Sequence, residues 1–252
     1  MTGRLMVVGL GPGAAEWITP EASAAIEAAS DIIGYGPYVD RLALQTDQRI
    51  HASDNRVEME RARLALTLAA EGHTVAVVSG GDPGVFAMAA AVFEAIEDNP
   101  QWLELDIQVA PGVTAMQAAA ARLGAPLGHD FCAISLSDNL KPWAIVERRL
   151  RAAAAGDFVI ALYNPASQAR PARIVAAFGL LRDAKAPTTP VAFARAVGRV
   201  DEKLTLTTLG EAEPSLADMA TLVMIGSSET RFIARDDAQP WMLTPRAYGV
   251  RR

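Results

Sequence analysis

The sequence has little of the side-chain chemistry from which metal centres and disulfide frameworks are built. Its 252 residues include one cysteine, Cys132, and three histidines, His51, His73 and His129. A single cysteine excludes an internal disulfide, and its apolar neighbours predict a buried strand. The histidines lie far apart in the sequence and none belongs to a His-x-x-x-His pattern, so no metal site is predicted. We expect chemistry that proceeds without a metal ion.

Long hydrophobic runs and a leader sequence are also missing. The most apolar stretch, Val75–Phe93, is interrupted by polar and glycine residues at Ser79–Gly84. It falls short of the roughly 20 apolar residues that a membrane helix needs. The N-terminus has no basic segment followed by an apolar segment, because Leu5 begins a predicted strand. These absences predict a cytoplasmic protein with no membrane partner.

Positively charged residues are fewer than negatively charged ones. The chain carries 23 lysine and arginine residues against 29 aspartate and glutamate residues, which gives a net charge of −6 and a pI near 5.2. This balance opposes binding to nucleic acid, and we expect no nucleic-acid partner. Only Lys141, Lys185 and Lys203 are lysine. Nearly all of the positive charge is therefore arginine, which pairs with carboxylates through two parallel hydrogen bonds.

The apolar residues that are present alternate between strand and helix periods, which is typical of α/β proteins. Strands are predicted at Leu5–Val8, Ile32–Ile33, Val75–Val78, Leu105–Val109, Phe131–Ile134, Phe158–Leu162, Val191–Ala194 and Leu222–Ile225. Helices are predicted at Pro20–Ala29, Val57–Ala70, Val85–Ile96, Thr114–Arg122, Pro142–Ala155 and Pro171–Arg182. The alternating stretch Val200–Leu206 predicts a half-exposed antiparallel strand, whereas the polar segment Asp236–Arg252 is expected to be irregular.

A break near the middle of the chain predicts two domains. A helical pattern ends at Leu123, and two glycines flank a proline between Gly124 and Gly128. We predict an α/β domain at residues 1–125 with a mostly parallel sheet. The second α/β domain, at residues 126–252, has a mixed sheet because of its antiparallel strand. The active site is expected in the cleft between the domains.

Two glycine-rich turns, Gly9–Gly13 and Ser79–Gly84, each follow a predicted strand. Glycine has no Cβ, so such turns present backbone N–H and C=O groups to a small molecule, although they also suit tight turns without a ligand. The first turn fits the loose spacing of a dinucleotide motif. However, the better helix start, Thr19 before Pro20, comes several residues later, and the expected acidic residue, Asp31, precedes its strand. An NAD site is therefore disfavoured.

Five loop motifs in all follow predicted strands. In an open parallel sheet the carboxyl ends of the strands line the ligand crevice, so we expect these loops to converge on one site. They are Gly9–Gly13, Gly34–Pro37, Ser79–Gly84, Pro111–Ala115 and Leu162–Pro165.

These motifs together resemble the tetrapyrrole (corrin and porphyrin) methyltransferase family, whose members transfer a methyl group from S-adenosylmethionine to a ring carbon. The resemblance extends from about Leu5 to Phe232, and it rests on Val8–Gly13, Ser79–Pro83, Pro111–Ala115 and Ile225–Ser228. It implies that S-adenosylmethionine, with S-adenosylhomocysteine as product, is held in the cleft largely by backbone groups. The implied cofactor contacts are Pro12, Gly80, Gly81, Asp82, Val85, Thr114, Ala115, Asn164, Ala196 and Val197.

Two of the implied contacts have a second interpretation. Asp82 is equally suited to accepting hydrogen bonds from its own turn. Asn164 stands where relatives often have methionine, so the role of its side chain stays open.

Three segments, Gly34–Val39, Ser135–Trp143 and Ala161–Pro165, are similar to the branch of the family that also contracts the ring of a cobalamin precursor. Contraction needs a base for the proton of a ring hydroxyl and a donor for the departing lactone carboxylate. Our candidates are Asp138 as the base and Lys141 as the donor. Asp138 also suits a helix cap.

The resemblance further implies a homodimer and a tetrapyrrole substrate that carries many carboxylates. Arginines beside the loop motifs are candidate carboxylate partners, namely Arg41, Arg170 and Arg195. Aromatic residues that would stack on the macrocycle, or pack in an ordinary core, are Tyr35, Tyr38 and Trp143.

Three other functions stay open at this point. A family member that acts on a cobalt-loaded substrate or on another corrin carbon shares the same motifs. A carrier or regulatory protein that kept the fold would bind a tetrapyrrole without turnover, but the intact glycine turns count against it. An NAD oxidoreductase would bind nicotinamide, and the position of Asp31 counts against it.

Overall fold

The chain is organised as two α/β units. The computed structural model describes residues 3–54, 57–166 and 171–249. Contacts within the chain divide it into Met1–Ala115 and Met116–Arg252. The predicted fold class is confirmed, because each unit combines helices with a five-stranded sheet. The domain boundary predicted at residue 125 stays a prediction.

The first unit is built on a sheet whose strands are all parallel. Its strands are β1 (Arg4–Gly9), β2 (Asp31–Tyr35), β3 (Arg49–Ser53), β4 (Thr74–Ser79) and β5 (Asp106–Ala110). They lie in the order β3-β2-β4-β1-β5. Its helices are α1 (Pro20–Ala28), α2 (Gly36–Val39), α3 (Glu58–Ala70) and α4 (Met88–Asp98).

Both faces of this sheet are covered, which explains the continuous apolar runs of β1 and β4. Successive side chains of a strand point to opposite faces. Leu5 and Val7 pack with α3 and α4, whereas Met6 and Val8 pack with α1. A strand buried on both faces has no polar side to alternate with. Helix α1 begins as predicted, with the Thr19 hydroxyl accepting a hydrogen bond from the Ala22 N–H and Pro20 in the first turn.

A buried carboxylate stabilises the amino-terminal edge of the same sheet. Asp31, at the start of β2, has its side chain 1% exposed and accepts hydrogen bonds from Arg49 at 2.7 and 2.9 Å. His51 and His73 contact the same carboxylate at 2.9 and 3.0 Å. Burial opposes ionisation, but the hydrogen bonds from Arg49, His51 and Ser30 and the charge of Arg49 outweigh it and hold the pKa of Asp31 well below its ordinary value.

The second unit contains a mixed sheet, as predicted. Its strands are β6 (Gly124–Ala125), β7 (Phe131–Ser135), β8 (Val159–Tyr163), β9 (Pro190–Arg195), β10 (Lys203–Thr208), β11 (Thr221–Ile225), β12 (Arg231–Arg235) and β13 (Ala238–Leu243). The main sheet has the order β10-β9-β11-β8-β7, in which only β7 and β8 pair in parallel. Its helices are α5 (Ala115–Leu123), α6 (Trp143–Ala155) and α7 (Ala172–Ala184).

One core fills the space between the main sheet and helices α6 and α7. Phe178 of α7 and Phe193 of β9 are buried, and their rings stack with centroids 5.9 Å apart. Cys132 packs against this core from β7, so its predicted place in a strand is confirmed, but the strand is not fully buried, because β7 lies at the sheet edge and Phe131 is exposed. The arginines Arg148, Arg149 and Arg151 lie on the exposed face of α6.

Two local predictions need correction, and one strand was not predicted. The segment expected to be irregular beyond Asp236 contains β13, which pairs with β12 and with β6 in a small third sheet. Strand β3 was not predicted because its residues are polar and largely exposed at the sheet edge. Helix α4 begins at Met88 and not at Val85 as predicted, because Ala87 still has the extended backbone of the preceding loop. No helix within the described residues is both long and apolar enough for a membrane span.

Candidate functional site

The carboxyl ends of the first unit's strands bring the predicted loops together. Because β1, β2, β4 and β5 all run in the same direction, the segments that follow them leave from one edge of the sheet. This edge carries Pro12, the loop Gly80–Val85, Thr114 and Tyr35. Four of the five predicted loops thus leave from one edge of this sheet, whereas the fifth, Leu162–Pro165, belongs to the second unit, and the convergence of all five on one site stays a prediction.

The loops after β1 and β4 are joined backbone to backbone. The Gly11 N–H donates to the Gly81 carbonyl at 3.1 Å, and the Gly81 N–H donates to the Gly11 carbonyl at 2.9 Å. Both glycines have positive φ, 65° and 72°, a conformation that favours glycine. The two glycine-rich turns recognised in the sequence are therefore parts of one rigid element.

Asp82 connects the loop after β4 to the loop after β5. One carboxylate oxygen accepts from the Gly84 N–H at 2.9 Å, and the other accepts from the Gly112 N–H at 3.0 Å. The first bond is the local turn that the sequence predicted as one interpretation of Asp82. The second bond spans two loops and has no sequence signal, because Gly112 lies 30 residues away.

Close backbone packing explains why glycine occupies several of these positions. A Cβ on Gly9 would lie 2.7 Å from the Cα of Gly112, and a Cβ on Gly80 would lie 2.7 Å from the ring of Tyr38. Tyr38 also contacts Tyr35 edge to face, with ring centroids 5.3 Å apart, and packs against the first unit's core. Its ring therefore supports the loop after β4.

The space beside Gly81 is lined by the backbone of Thr114 and Ala115. A Cβ at Gly81 would point towards the Cα of Thr114 and the N atom of Ala115, at 3.9 and 4.0 Å, so a side chain there would fill this space. Thr114 is buried, whereas Pro12, Asp82 and Val85 are half-buried. The implied cofactor contacts of the first unit thus lie around Gly81, where a Cβ would meet only backbone atoms, whereas Gly80 is covered by the Tyr38 ring.

The second unit also gathers its predicted residues at one edge of a sheet. Strands β8 and β9 are both antiparallel to β11, so they run in the same direction, and β7 is parallel to β8. The segments that follow β7, β8 and β9 carry Asp138 with Lys141, Asn164, and Ala196 with Val197.

Asn164 and Ala196 begin their loops with left-handed backbone. Their φ angles are +50° and +49°. Asparagine adopts this conformation more readily than most residues. The Asn164 side-chain amide also donates to the Ser135 hydroxyl at 3.0 Å, which joins the ends of β8 and β7. The Asn164 amide thus makes a defined contact within the second unit. Ala196 and Val197 are buried.

The candidate catalytic residues already have partners. The Asp138 carboxylate pairs with Arg173 of α7 at 2.6 Å, and its side chain is 13% exposed. The Lys141 ammonium donates to the Ser137 carbonyl at 3.0 Å. Burial and the charge of Arg149 lower the pKa of Lys141, while the charge of Asp138 acts in the opposite direction. Sequence reasoning missed Arg173, because no motif surrounds it and Asp138 is remote in the sequence.

The candidate aromatic and arginine contacts have different surroundings. Trp143 packs against the second unit's core, and the Arg173 guanidinium lies 4.8 Å from its ring centroid. Arg195 donates to Asp201 and Asp218 at 2.7 and 2.8 Å, so substrate carboxylates would compete with two ion pairs. Arg41 contacts carbonyls of the loop after β1. Arg170 lies outside the described residues.

One motif used for the resemblance lies away from these residues. Ile225–Ser228 follows β11, which runs antiparallel to β8, and therefore lies at the opposite edge of the sheet. The Ser228 N–H and hydroxyl both donate to the Asp157 carboxylate, at 2.9 and 2.6 Å. Despite burial, hydrogen bonds from Ser228, Tyr248 and Lys185 lower the pKa of Asp157. The motif stabilises the turn before β8.

Metal ligands do not cluster in the part of the chain that the structure describes. Among those residues, no group of three or more histidine, cysteine, aspartate or glutamate side chains could hold a metal ion.

Comparison with known proteins identifies a family and close relatives. Residues 4–213 match the family Tetrapyrrole (Corrin/Porphyrin) Methylases. The chain is 59% identical to a precorrin-3B C(17)-methyltransferase of Sinorhizobium sp., over 98% of each chain. It is 42% identical to a probable cobalt-factor III C(17)-methyltransferase of Salmonella typhimurium, over 97% of this chain and 99% of that protein.

A solved structure shows the same fold over almost the whole chain. It is the crystal structure of the methyltransferase CobJ, which has a TM-score of 0.92 and 51% identity and covers 96% of this chain and 100% of that one. The chain also aligns with 49% of the longer protein CobIJ of Mycobacterium tuberculosis, at 48% identity.

Proposed function

This chain belongs to the tetrapyrrole (corrin/porphyrin) methylase family, and we propose that it methylates precorrin-3B at carbon 17 and contracts the ring to precorrin-4 during cobalamin biosynthesis. The observation that carries the proposal is the 59% identity to a precorrin-3B C(17)-methyltransferase, which extends over 98% of both chains. Methylases of this family take the methyl group from S-adenosylmethionine.

The test is an anaerobic incubation of the purified protein with S-adenosylmethionine and precorrin-3B, followed by mass and absorbance. The expected product has gained one methyl group and has the absorbance of a contracted macrocycle. Methylation without contraction would retain the methyltransferase and exclude the contraction step. No reaction with precorrin-3B would contradict the proposal.

A second candidate substrate is the cobalt-loaded macrocycle. The 42% identity to the probable cobalt-factor III enzyme of Salmonella typhimurium covers nearly the whole of both chains. The higher identity to the precorrin-3B enzyme favours the metal-free substrate. Parallel assays with precorrin-3B and cobalt-factor III decide between them, and we expect the larger kcat/KM for precorrin-3B.

The first unit's loops fit a cofactor that is bound through backbone groups. The contacts proposed here are Pro12, the turn Gly80–Asp82, Val85, and Thr114 with Ala115. The uncovered backbone at Gly81 and the fixed Gly11–Gly81 bridge support this assignment. From the second unit, the proposed contacts are Asn164, Ala196 and Val197.

For methyl transfer to carbon, the main task of the protein is to align the methyl group with the ring carbon that attacks it. S-adenosylmethionine supplies a methyl group on a sulfonium, which is already a good leaving group, and the electron-rich carbon of the macrocycle is already a nucleophile. Loops that are fixed to one another hold reactants in line, and such positioning accounts for a large part of an enzyme's acceleration. The bonds of Asp82 to two loops supply this rigidity.

Ring contraction needs acid and base groups, and we assign them to Asp138 and Lys141. The Asp138 carboxylate accepts the proton of the ring hydroxyl, and the Lys141 ammonium donates to the departing carboxylate. The ion pair between Arg173 Nη2 and Asp138 Oδ2, 2.6 Å apart, keeps the Asp138 carboxylate oriented. Replacing Asp138→Asn should abolish contraction and leave S-adenosylhomocysteine affinity unchanged. The exposed neighbour Asn139→Ala is the matched control and should retain both. Contraction at the wild-type rate in Asp138→Asn would remove Asp138 from the mechanism.

Substrate recognition, assembly and location complete the proposal. Substrate carboxylates are bound by arginines, with Arg170 and Arg195 as candidates, and Tyr35 lies at the same sheet edge as the cofactor loops. We propose a cytoplasmic homodimer without a nucleic-acid partner, because the resemblance implies a dimer and the net charge of −6 opposes nucleic acid. Light scattering of the purified protein tests the dimer, and cell fractionation tests its location.

A further inference from the structure

Arg41 lies beside the loop after β1 and contacts three of its carbonyls. Arg41 is half-buried and follows the short helix α2. Its Nη2 donates to the Gly13 carbonyl at 3.1 Å and to the Leu10 carbonyl at 3.3 Å. Both Nη1 and Nη2 lie 3.5 Å from the Gly11 carbonyl. The guanidinium thus fixes backbone, and the side chains of the loop take no part in these contacts.

These contacts determine the orientation of three peptides near Pro12, namely Leu10–Gly11, Gly11–Pro12 and Gly13–Ala14. In a planar trans peptide, the C=O and N–H groups point in opposite directions. The Leu10 carbonyl is held by Arg41, and the N–H of the same peptide, that of Gly11, is held by the Gly81 carbonyl at 3.1 Å. The Gly11 and Gly13 carbonyls, which flank Pro12, both accept from Arg41. A rotation of any of these three peptides would break a bond to the guanidinium.

We propose that Arg41 is a positioning residue for the cofactor, which acts by fixing the loop Leu10–Gly13 around Pro12. This inference rests on the proposed function, in which Pro12 contacts S-adenosylmethionine, and it replaces the substrate-binding role predicted for Arg41 from the sequence. A bidentate bond to a substrate carboxylate would draw the guanidinium away from carbonyls that it now satisfies. The loop would then lose its support when substrate binds.

The test compares Arg41→Met with a matched arginine that also holds carbonyls. Arg182 of α7 donates to the Leu209 and Ala212 carbonyls in the second unit, and its guanidinium lies over the Phe178 ring. Arg182→Met therefore reports the cost of losing a carbonyl-holding arginine far along the chain from the loop. For each variant, titration calorimetry gives the Kd of S-adenosylhomocysteine without substrate, steady-state kinetics gives the tetrapyrrole KM, and circular dichroism gives the folded fraction.

We expect Arg41→Met to raise the Kd of S-adenosylhomocysteine by about tenfold or more, because several hydrogen bonds to a charged group are lost. The tetrapyrrole KM at saturating cofactor should stay within about twofold, and Arg182→Met should leave the cofactor Kd within about twofold. If Arg41→Met does not fold, Arg41→Lys is decisive. A lysine is a point charge that cannot hold several carbonyls as a planar fork does, so the Kd should still rise by about threefold or more.

An unchanged cofactor Kd in a folded Arg41 variant would overturn the inference, and a simultaneous rise in tetrapyrrole KM would restore the substrate-binding role. If the chain did not use S-adenosylmethionine at all, the wild-type protein would bind no S-adenosylhomocysteine, and if only the substrate were different, the cofactor Kd values of wild type and variants would still test Arg41.

Discussion

Replacing Asp82→Ala separates the two interpretations of this carboxylate, as a structural connection between loops or as a cofactor contact. In the structure its oxygens accept from the Gly84 and Gly112 N–H groups at 2.9 and 3.0 Å. Hydrogen bonds to a charged group contribute about 1.5–3 kcal/mol each when they are shielded from water. The Gly84 bond is exposed, so water replaces most of it, whereas the Gly112 bond is partly buried.

We therefore expect Asp82→Ala to lower the free energy of unfolding of the first unit by about 2–3 kcal/mol. Asp82→Asn keeps one acceptor oxygen and should lose about half as much. Urea denaturation gives the free energy, and hydrogen exchange of peptides from β4 and β5 assigns the loss to the first unit. The exposed residue Asp98, whose only described ion pair is with Arg63, provides the control Asp98→Ala, with an expected loss below about 1 kcal/mol.

The result that would refute this reasoning is an Asp82→Ala protein as stable as the wild type. If that protein also bound S-adenosylhomocysteine far more weakly, Asp82 would be a cofactor contact and the Gly112 bond would be without consequence. If the loss of stability is found, the cofactor Kd should rise moderately, because the loop after β5 is no longer fixed to the loop after β4.

Three further predictions concern other parts of the fold. Asp31→Asn should cost about 3 kcal/mol at pH 7, because a buried paired carboxylate is lost. Because the pKa of Asp31 is lowered in the folded state, its contribution is complete above about pH 5 and decreases as the pH falls below the ordinary carboxylate pKa towards the folded-state value, so urea titrations from pH 8 to pH 3 should show a constant difference that shrinks only below about pH 5. A difference that shrinks above pH 6 would contradict this. Asn164→Ala should lower the melting temperature more than Asn164→Gly, because only the alanine keeps a side chain at φ +50° while losing the bond to Ser135; equal losses would show that the left-handed backbone is not strained. Phe178→Ala should cost about 3–5 kcal/mol in urea denaturation, since its ring is fully buried against Phe193; a loss below about 1 kcal/mol would show that the core closes around the cavity.

The sequence predicted the parts of the fold that depend on local pattern. The run Leu5–Val8 and the signal Thr19-Pro20 each correspond to an observed element, because burial on both sheet faces and helix capping are read from adjacent residues. Strand β3 was missed because an exposed edge strand needs no apolar pattern. Strand β13 was missed because Pro240 and polar neighbours resemble a loop.

The candidate site was predicted to the level of its loops and no further. Glycine turns after strands indicate where backbone is exposed, but the partner of each polar side chain comes from a remote part of the chain. Asp82 accepts a hydrogen bond from Gly112, Asp138 forms an ion pair with Arg173, and Arg41 donates to the Gly13 carbonyl. No spacing in the sequence predicts these pairs. Such partners become visible only when the strands are placed in order.

The Gly11–Gly81 bridge has a consequence for which substitutions the two loops tolerate. The bridge consists of main-chain atoms alone, so its geometry does not depend on the identity of the neighbouring side chains as long as the two glycines stay in place. Substitutions of those neighbours can therefore accumulate while the two loops stay joined. Under the proposed cofactor assignment, substrate choice could then change during evolution while cofactor binding is kept.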